Sequence, residues 1–194
     1  MFTENSKRPS TSGTSGLGLI VIDVQGRLIE ALPQGRYILQ RCCFAAQAAA
    51  CYGLPTFITE QVPDKLGPTH PDLAAAVPAT VFTKTAFSAW QADGLQQAVA
   101  AQAIRHLLIA GIETSICIYQ TVMDILRESF AVTVLTDCIS AMRSEDDLAV
   151  RSYLEGRTPA TLPAETLFYQ ILGDANHPGF SSLNRLVKKY RMLA

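Results

Sequence analysis

The stretch LGLIVIDV, from Leu17 to Val24, is apolar almost without interruption until it meets a carboxylate at Asp23. A continuous apolar run, as opposed to an alternating one, marks a strand covered on both faces. The segment from Gly35 to Tyr52 is rich in Ala, Leu and Cys and long enough for a helix, with Gly53 and Pro55 as its stop. The alternation then repeats. LPTFITE reads as a second strand, PDKLGPTHPDL as a loop, ATVFTK as a short strand and the residues from about Gly94 as a helix. HLLIAGI is a further strand, IYQTVMDILRES a helix and AVTVLTD another strand. Helices follow around Leu148, over Glu165 to Leu172, and at the end, where Leu183, Leu186, Val187 and Tyr190 recur at helical spacing. Strands alternating with helices across short loops build βαβ units and a parallel sheet with helices on both faces. The expected fold is therefore α/β: one three-layer α/β/α domain over residues 17–194 around a mainly parallel central sheet. Residues 1–16, MFTENSKRPSTSGTSG, lack apolar periodicity and read as a disordered leader.

Composition narrows the function. The 194 residues carry a formal net charge of -1 with the charges scattered, which argues against a nucleic-acid or anionic-membrane surface. No apolar stretch approaches the ~20 residues that cross a bilayer, and the first residues lack the apolar core of a signal peptide. A soluble, cytoplasmic protein is expected. The five cysteines, at 42, 43, 51, 117 and 138, include no C-x-x-C pair, so neither a disulfide framework nor a zinc site is expected. Buried cysteine is common simply as a small hydrophobe, so a catalytic one needs a further mark.

Position supplies that mark. In parallel α/β sheets, ligands bind at the carboxyl ends of the strands. Asp23 follows the first strand, Lys84 follows VFT, and Cys117 lies just beyond LLIAGIET, so all three reach the same sheet edge. Cys117 falls near the first turn of a helix, where free N–H groups favour an anion and lower a thiol's pKa. Those N–H groups also suit an oxyanion. Asp23 would take the thiol proton, and Lys84 would orient it and offset negative charge. Each residue alone has a plainer role: Asp23 as a turn cap, Lys84 as a surface lysine, Cys117 as a core thiol. Cys42, Cys43 and Cys51 lie along a helix, and Cys138 lies just past a strand beside Asp137, whose charge disfavours a thiolate. These four read as packing residues.

Three segments, IVIDVQ with Asp23, FTKTAFSAW with Lys84 and IAGIETSICIYQTVMDILRESFAVTVLTDCISA with Cys117, closely resemble, in order, the motifs of the isochorismatase-like cysteine hydrolases. The similarity spans nearly all of Leu17 to Tyr190. The resemblance implies a Rossmann-like topology, with Asp23 as general base, Lys84 as supporting cation and Cys117 as a nucleophile that passes through a thioester-type intermediate. It also implies a cis peptide at Ile112-Glu113 and an oxyanion hole from the N–H groups of Glu113 and Cys117.

Within that superfamily, nicotinamidases carry an Asp and several His after the second strand, which bind a metal. The equivalent stretch here, FITEQVPDKLGPTHPDL, holds only His70, so no metal and no nicotinamidase activity are expected, and no other cofactor is implied. His106, before an apolar strand, and His177, in a loop, read as structural. The TEQ-x-P-x-x-LG stretch and FYQILGDANHPGFSSL look most like the subgroup of isochorismatase domain-containing proteins. The implied activity is hydrolysis of a C–N, amide-type bond in a small molecule; the alternatives are vinyl-ether hydrolysis of the isochorismatase kind and a non-catalytic scaffold of the same fold. Gln25, Glu60, Phe87, Trp90 and Tyr119 are candidate pocket walls, with core or interface packing as the other reading of the aromatic ones. Members of the superfamily are commonly oligomers, so a homo-oligomer is expected.

Overall fold

In the computed structural model, residues 14–192 are described, so the expected leader lies outside the described residues as far as residue 13. The first strand, β1 (Leu17–Ile22), shows why its apolar run is unbroken. Leu19 and Val21 point into one core with the large helix that follows, while Ile20 and Ile22 point into a second core on the other face. Successive side chains alternate faces, and here both faces are covered.

The chain continues through α1 (Gly26–Ala31), α2 (Gly35–Cys51), β2 (Thr56–Gln61), α3 (Pro63–Leu66), α4 (Pro71–Ala76) and β3 (Thr80–Lys84). A single 3₁₀ turn at Ala89–Gln91 precedes α5 (Leu95–Ala101) and β4 (His106–Ile112). A π-helical turn at Thr114–Ile118 then leads into α6 (Tyr119–Arg127), β5 (Ala131–Ser140), α7 (Ser144–Glu155), β6 (Ala160–Leu162), α8 (Ala164–Leu172) and α9 (Phe180–Arg191). The six strands form one sheet in the order β3-β2-β1-β4-β5-β6, and every paired neighbour is parallel. Helices α2, α8 and α9 cover one face; α5, α6 and α7 cover the other. The fold is thus a single α/β domain of the expected layered kind. Strand order steps outward from β1 to β3 and then returns to β4 on the other side of β1. That reversal opens a crevice at the carboxyl ends of β1 and β4.

Several local features depart from the sequence reading. The stretch expected as a loop after β2 contains α3 and α4, each with Pro in its first turn, where the missing N–H costs nothing. His70 caps α4 by accepting the N–H of Asp72 at 3.2 Å. The strand expected to end at Asp137 runs on to Ser140, so Cys138 lies inside it. The pairing with β4 passes from Ile109↔Val134 to Gly111↔Ile139, so Leu135–Cys138 bulge out of register. Arg151 of α7 secures the bulge by donating to the carbonyls of Thr136 and Ile139.

One glycine fixes where the crevice lies. Gly111, at φ +118, packs against β1 so closely that a Cβ there would meet the carbonyl oxygen of Ile22 at 2.0 Å. Only glycine allows β4 to run against the end of β1 at this point, one residue before Asp23.

Candidate active site

Asp23 leaves β1 in the left-handed region, at φ 54. Asp tolerates that conformation better than most residues. Its N–H donates to the carbonyl of Thr59 at 3.0 Å, and its fully buried carboxylate accepts the Thr59 hydroxyl on Oδ1 at 2.7 Å. Lys84, the last residue of β3, reaches in from the other side. Its Nζ donates to Asp23 Oδ2 at 2.6 Å and to Gln61 Oε1 at 2.5 Å, with the carbonyls of Ala86 and Phe87 at 3.3 and 3.2 Å. The two charged side chains are wholly shielded from solvent. Buried charges persist when paired and hydrogen-bonded, and both conditions hold here.

Cys117 sits in the π-helical turn, buried, with Sγ 3.7 Å from Lys84 Nζ. Asp23, Lys84 and Cys117 are therefore in mutual reach, delivered by the ends of β1 and β3 and by the turn after β4. The thiol's protonation differs from the sequence expectation. Burial, followed by the Asp23 carboxylate beside it, pushes the Cys117 thiol up to about 12, against opposing contributions from Lys84 and the Glu113 backbone. Desolvation disfavours the thiolate more than the helix start favours it. The resting arrangement at neutral pH thus places a protonated thiol beside the Asp23 side chain.

The turn holding Cys117 is rigidly tied. The N–H groups of Ile116 and Ile118 both donate to the Glu113 carbonyl, at 3.2 and 3.0 Å. Thr121 donates to the carbonyl of Cys117 at 2.6 Å and accepts the N–H of Ala89 at 2.7 Å, linking this turn to the 3₁₀ turn. The Ile112-Glu113 peptide is cis, and the Glu113 carboxylate accepts the Met142 N–H at 2.7 Å. A cavity of about 560 Å³ opens beside the turn, lined by Glu113, Ser115, Ile116, Met142 and Arg143 together with one face of α7.

The expected pocket walls have distinct surroundings. Phe87 stands 59% exposed, its carbonyl held by Lys84. Tyr119 is half-buried, its ring edge-on to Tyr153. Gln25, fully buried, ties two loops together: its amide donates to the carbonyls of Gln61 and Gly67 and accepts the Gln61 N–H. Glu60 accepts both the N–H and the hydroxyl of Thr69 at 2.7 Å. Trp90 is buried in the core against Phe130. His106 bonds the Thr133 hydroxyl and His177 the Gly179 N–H. Among the described residues, no three His, Cys, Asp or Glu side chains cluster to hold a metal.

Sequence reasoning passed over Thr59, Gln61 and Thr121. Thr59 and Thr121 are fully buried, and buried polar side chains need partners, but that burial is not visible in the sequence. Which partner each would find depended on which strands became neighbours.

The isochorismatase domain model matches residues 18–162. Isochorismatase domain-containing protein 2 of Bos taurus is 35% identical over 155 residues, 79% of this chain and 74% of the relative. Three solved structures share the fold. The MAR1 ribonuclease of Caenorhabditis elegans superposes with a TM-score of 0.83 at 24% identity, over 90% of each chain. YcaC from Pseudomonas aeruginosa, solved with hexane-2,5-diol and covalent acrylamide, gives 0.82 at 21%, over 98% of this chain and 97% of that one. The YcaC gene product of Escherichia coli, described as an octameric hydrolase of unknown specificity, gives 0.83 at 20%, over 98% and 96%.

Proposed function

Because this chain belongs to the isochorismatase family, we propose that it is a metal-independent cysteine hydrolase that uses Asp23, Lys84 and Cys117 to cleave a C–N, amide-type bond of a small molecule. One observation carries this reading: a fully buried carboxylate, paired with an ammonium at 2.6 Å, lies against a buried thiol at the switch point of the sheet. As Sγ attacks the carbonyl carbon, its proton passes to Asp23 and the carbonyl electrons move onto oxygen. The N–H groups of Glu113 and Cys117 receive that oxyanion. Collapse of the tetrahedral species breaks the C–N bond, and the departing amine takes the proton from Asp23. Water, deprotonated by Asp23, then hydrolyses the thioester and frees the thiol. Lys84 remains an ammonium throughout, held by four oxygens, and offsets charge on Asp23 and on sulfur. The active form is a homo-oligomer, as described for the Escherichia coli neighbour.

The test is competitive labelling. The native protein is treated with limiting iodoacetamide or acrylamide across a pH series, and the modified cysteines are mapped by peptide mass spectrometry. Cys117, although buried, should be labelled in the native protein, and Asp23→Asn should slow that labelling while leaving Cys51, the exposed thiol, unchanged. Cys117→Ala should fold normally and lose turnover of small primary amides. Cys117 labelling unchanged in Asp23→Asn, or turnover retained in Cys117→Ala, would sink the proposal.

A further inference from the structure

Thr59 holds Asp23 at two points. Its carbonyl takes the Asp23 N–H, fixing the backbone in its left-handed conformation, and its hydroxyl donates to Oδ1. A threonine in a doubly covered strand normally reads as a β-former whose hydroxyl is satisfied by a nearby carbonyl. Here its single proton goes instead to a buried carboxylate at 2.7 Å. Lys84 occupies Oδ2, so the carboxylate cannot rotate without breaking a charge-assisted bond on one side or the other. The groups that face Asp23 are Lys84 from β3, Cys117 from the turn after β4 and the neutral Thr59 from β2. Glu60, next along β2, turns the other way to Thr69.

We propose that Thr59 is a positioning residue: its hydroxyl holds the Asp23 carboxylate aimed at Cys117, so that the thiol proton has an acceptor when sulfur attacks. This rests on the reading of Asp23 as the base for Cys117. A carboxylate bonded on both oxygens keeps one orientation, and loss of either donor frees it to turn away from sulfur.

The experiment is the rate of Cys117 alkylation by iodoacetamide in the full chain at one fixed pH, with Cys51 in the same digest as an internal reference. Thr59→Val keeps the branched shape and removes the hydroxyl. It should slow Cys117 alkylation by about tenfold, the usual scale of a hydrogen bond to a charged group, with the Cys51 rate unchanged. Thr59→Ser, which restores the donor, should return the rate to its wild-type value. If Thr59→Val does not fold, Thr59→Ala serves the same purpose. A folded Val or Ala variant with a wild-type rate would overturn the proposal, as would a Ser variant that behaves like Val. Asp23→Asn separates the two levels: it should slow Cys117 at least as much, and a wild-type rate in it would remove the underlying reading of Asp23 as well.

Discussion

The Lys84–Asp23 pair makes the candidate site part of what holds the fold together. Both side chains are shut away from water, so deletion of either leaves an uncompensated buried charge. Lys84→Met should therefore destabilise the protein by about 3–5 kcal/mol, measured by urea unfolding near neutral pH. Adding Asp23→Leu to Lys84→Met should recover much of that loss, because the orphaned carboxylate disappears with its partner. A single Lys84→Met variant as stable as wild type would show that the pair is not buried in solution. At this scale the sequence showed which three side chains would meet and not the state of the thiol. Asp23, Lys84 and Cys117 stood out because each follows a strand. The protonated thiol did not, because the burial that outweighs the helix start belongs to the assembled core. Thr59 was hidden for the same reason: within TFITE it is indistinguishable from a residue chosen for strand propensity.

Among the elements, apolar runs, the short β3 included, and the longer helices were legible; the shortest helices, β6 and the β5 bulge were not. β1, β2, β4 and α2 appear within a residue or two of where their apolar patterns put them. The four residues of α3 and the three of β6 are too short to show a period, and their partners are distant in sequence. The β5 bulge is a property of pairing: it exists because β5 rejoins β4 out of register, with Arg151 of α7 bonded across it. The contact of β4 with β1 at Gly111 is likewise tertiary, and it yields a sharp expectation. Gly111→Ala would place a methyl 2.0 Å from the Ile22 carbonyl oxygen and 2.5 Å from its nitrogen, both unyielding backbone atoms. The two strands must part just where Asp23 and Cys117 are aligned. The variant should lose about 3 kcal/mol or more in denaturant unfolding, a cost in the range that named backbone and packing mechanisms produce. It should also slow Cys117 alkylation relative to Cys51. A variant with wild-type stability and labelling would mean that the end of β1 is free to yield.

Taken whole, the molecule keeps most of its thiols in its two cores, and that ties its stability to alkaline pH. Cys42, Cys43 and Cys138 lie in the core with α2, and Cys117 in the core on the opposite face. Burial is the leading cause that raises all four: Cys43 and Cys117 up to about 12, Cys42 and Cys138 further still, with Asp137 adding to the rise at Cys138. In the unfolded chain a thiol loses its proton near pH ~8.5. Below that pH both states are protonated, and the four thiols contribute their full stabilisation. Above it the unfolded chain releases protons that the folded chain retains, so the unfolded state binds fewer protons and stability falls as pH rises. Each thiol contributes a slope of about 1.4 kcal/mol per pH unit, which lasts until the folded-state value is reached. Four together approach about 5 kcal/mol per unit, enough to exhaust the stability of an ordinary domain within roughly two to three units. Tyr52 and Tyr190, both pushed up to about 12 by burial, steepen the fall beyond pH ~10. Urea midpoints measured between pH 8 and 11 should thus drop with accelerating slope. Cys43→Ala, whatever its cost at neutral pH, should flatten the slope by one thiol's share. A midpoint that stays level to pH 11, or a slope unaltered in Cys43→Ala, would mean that these thiols ionise in the folded protein as readily as in the open chain.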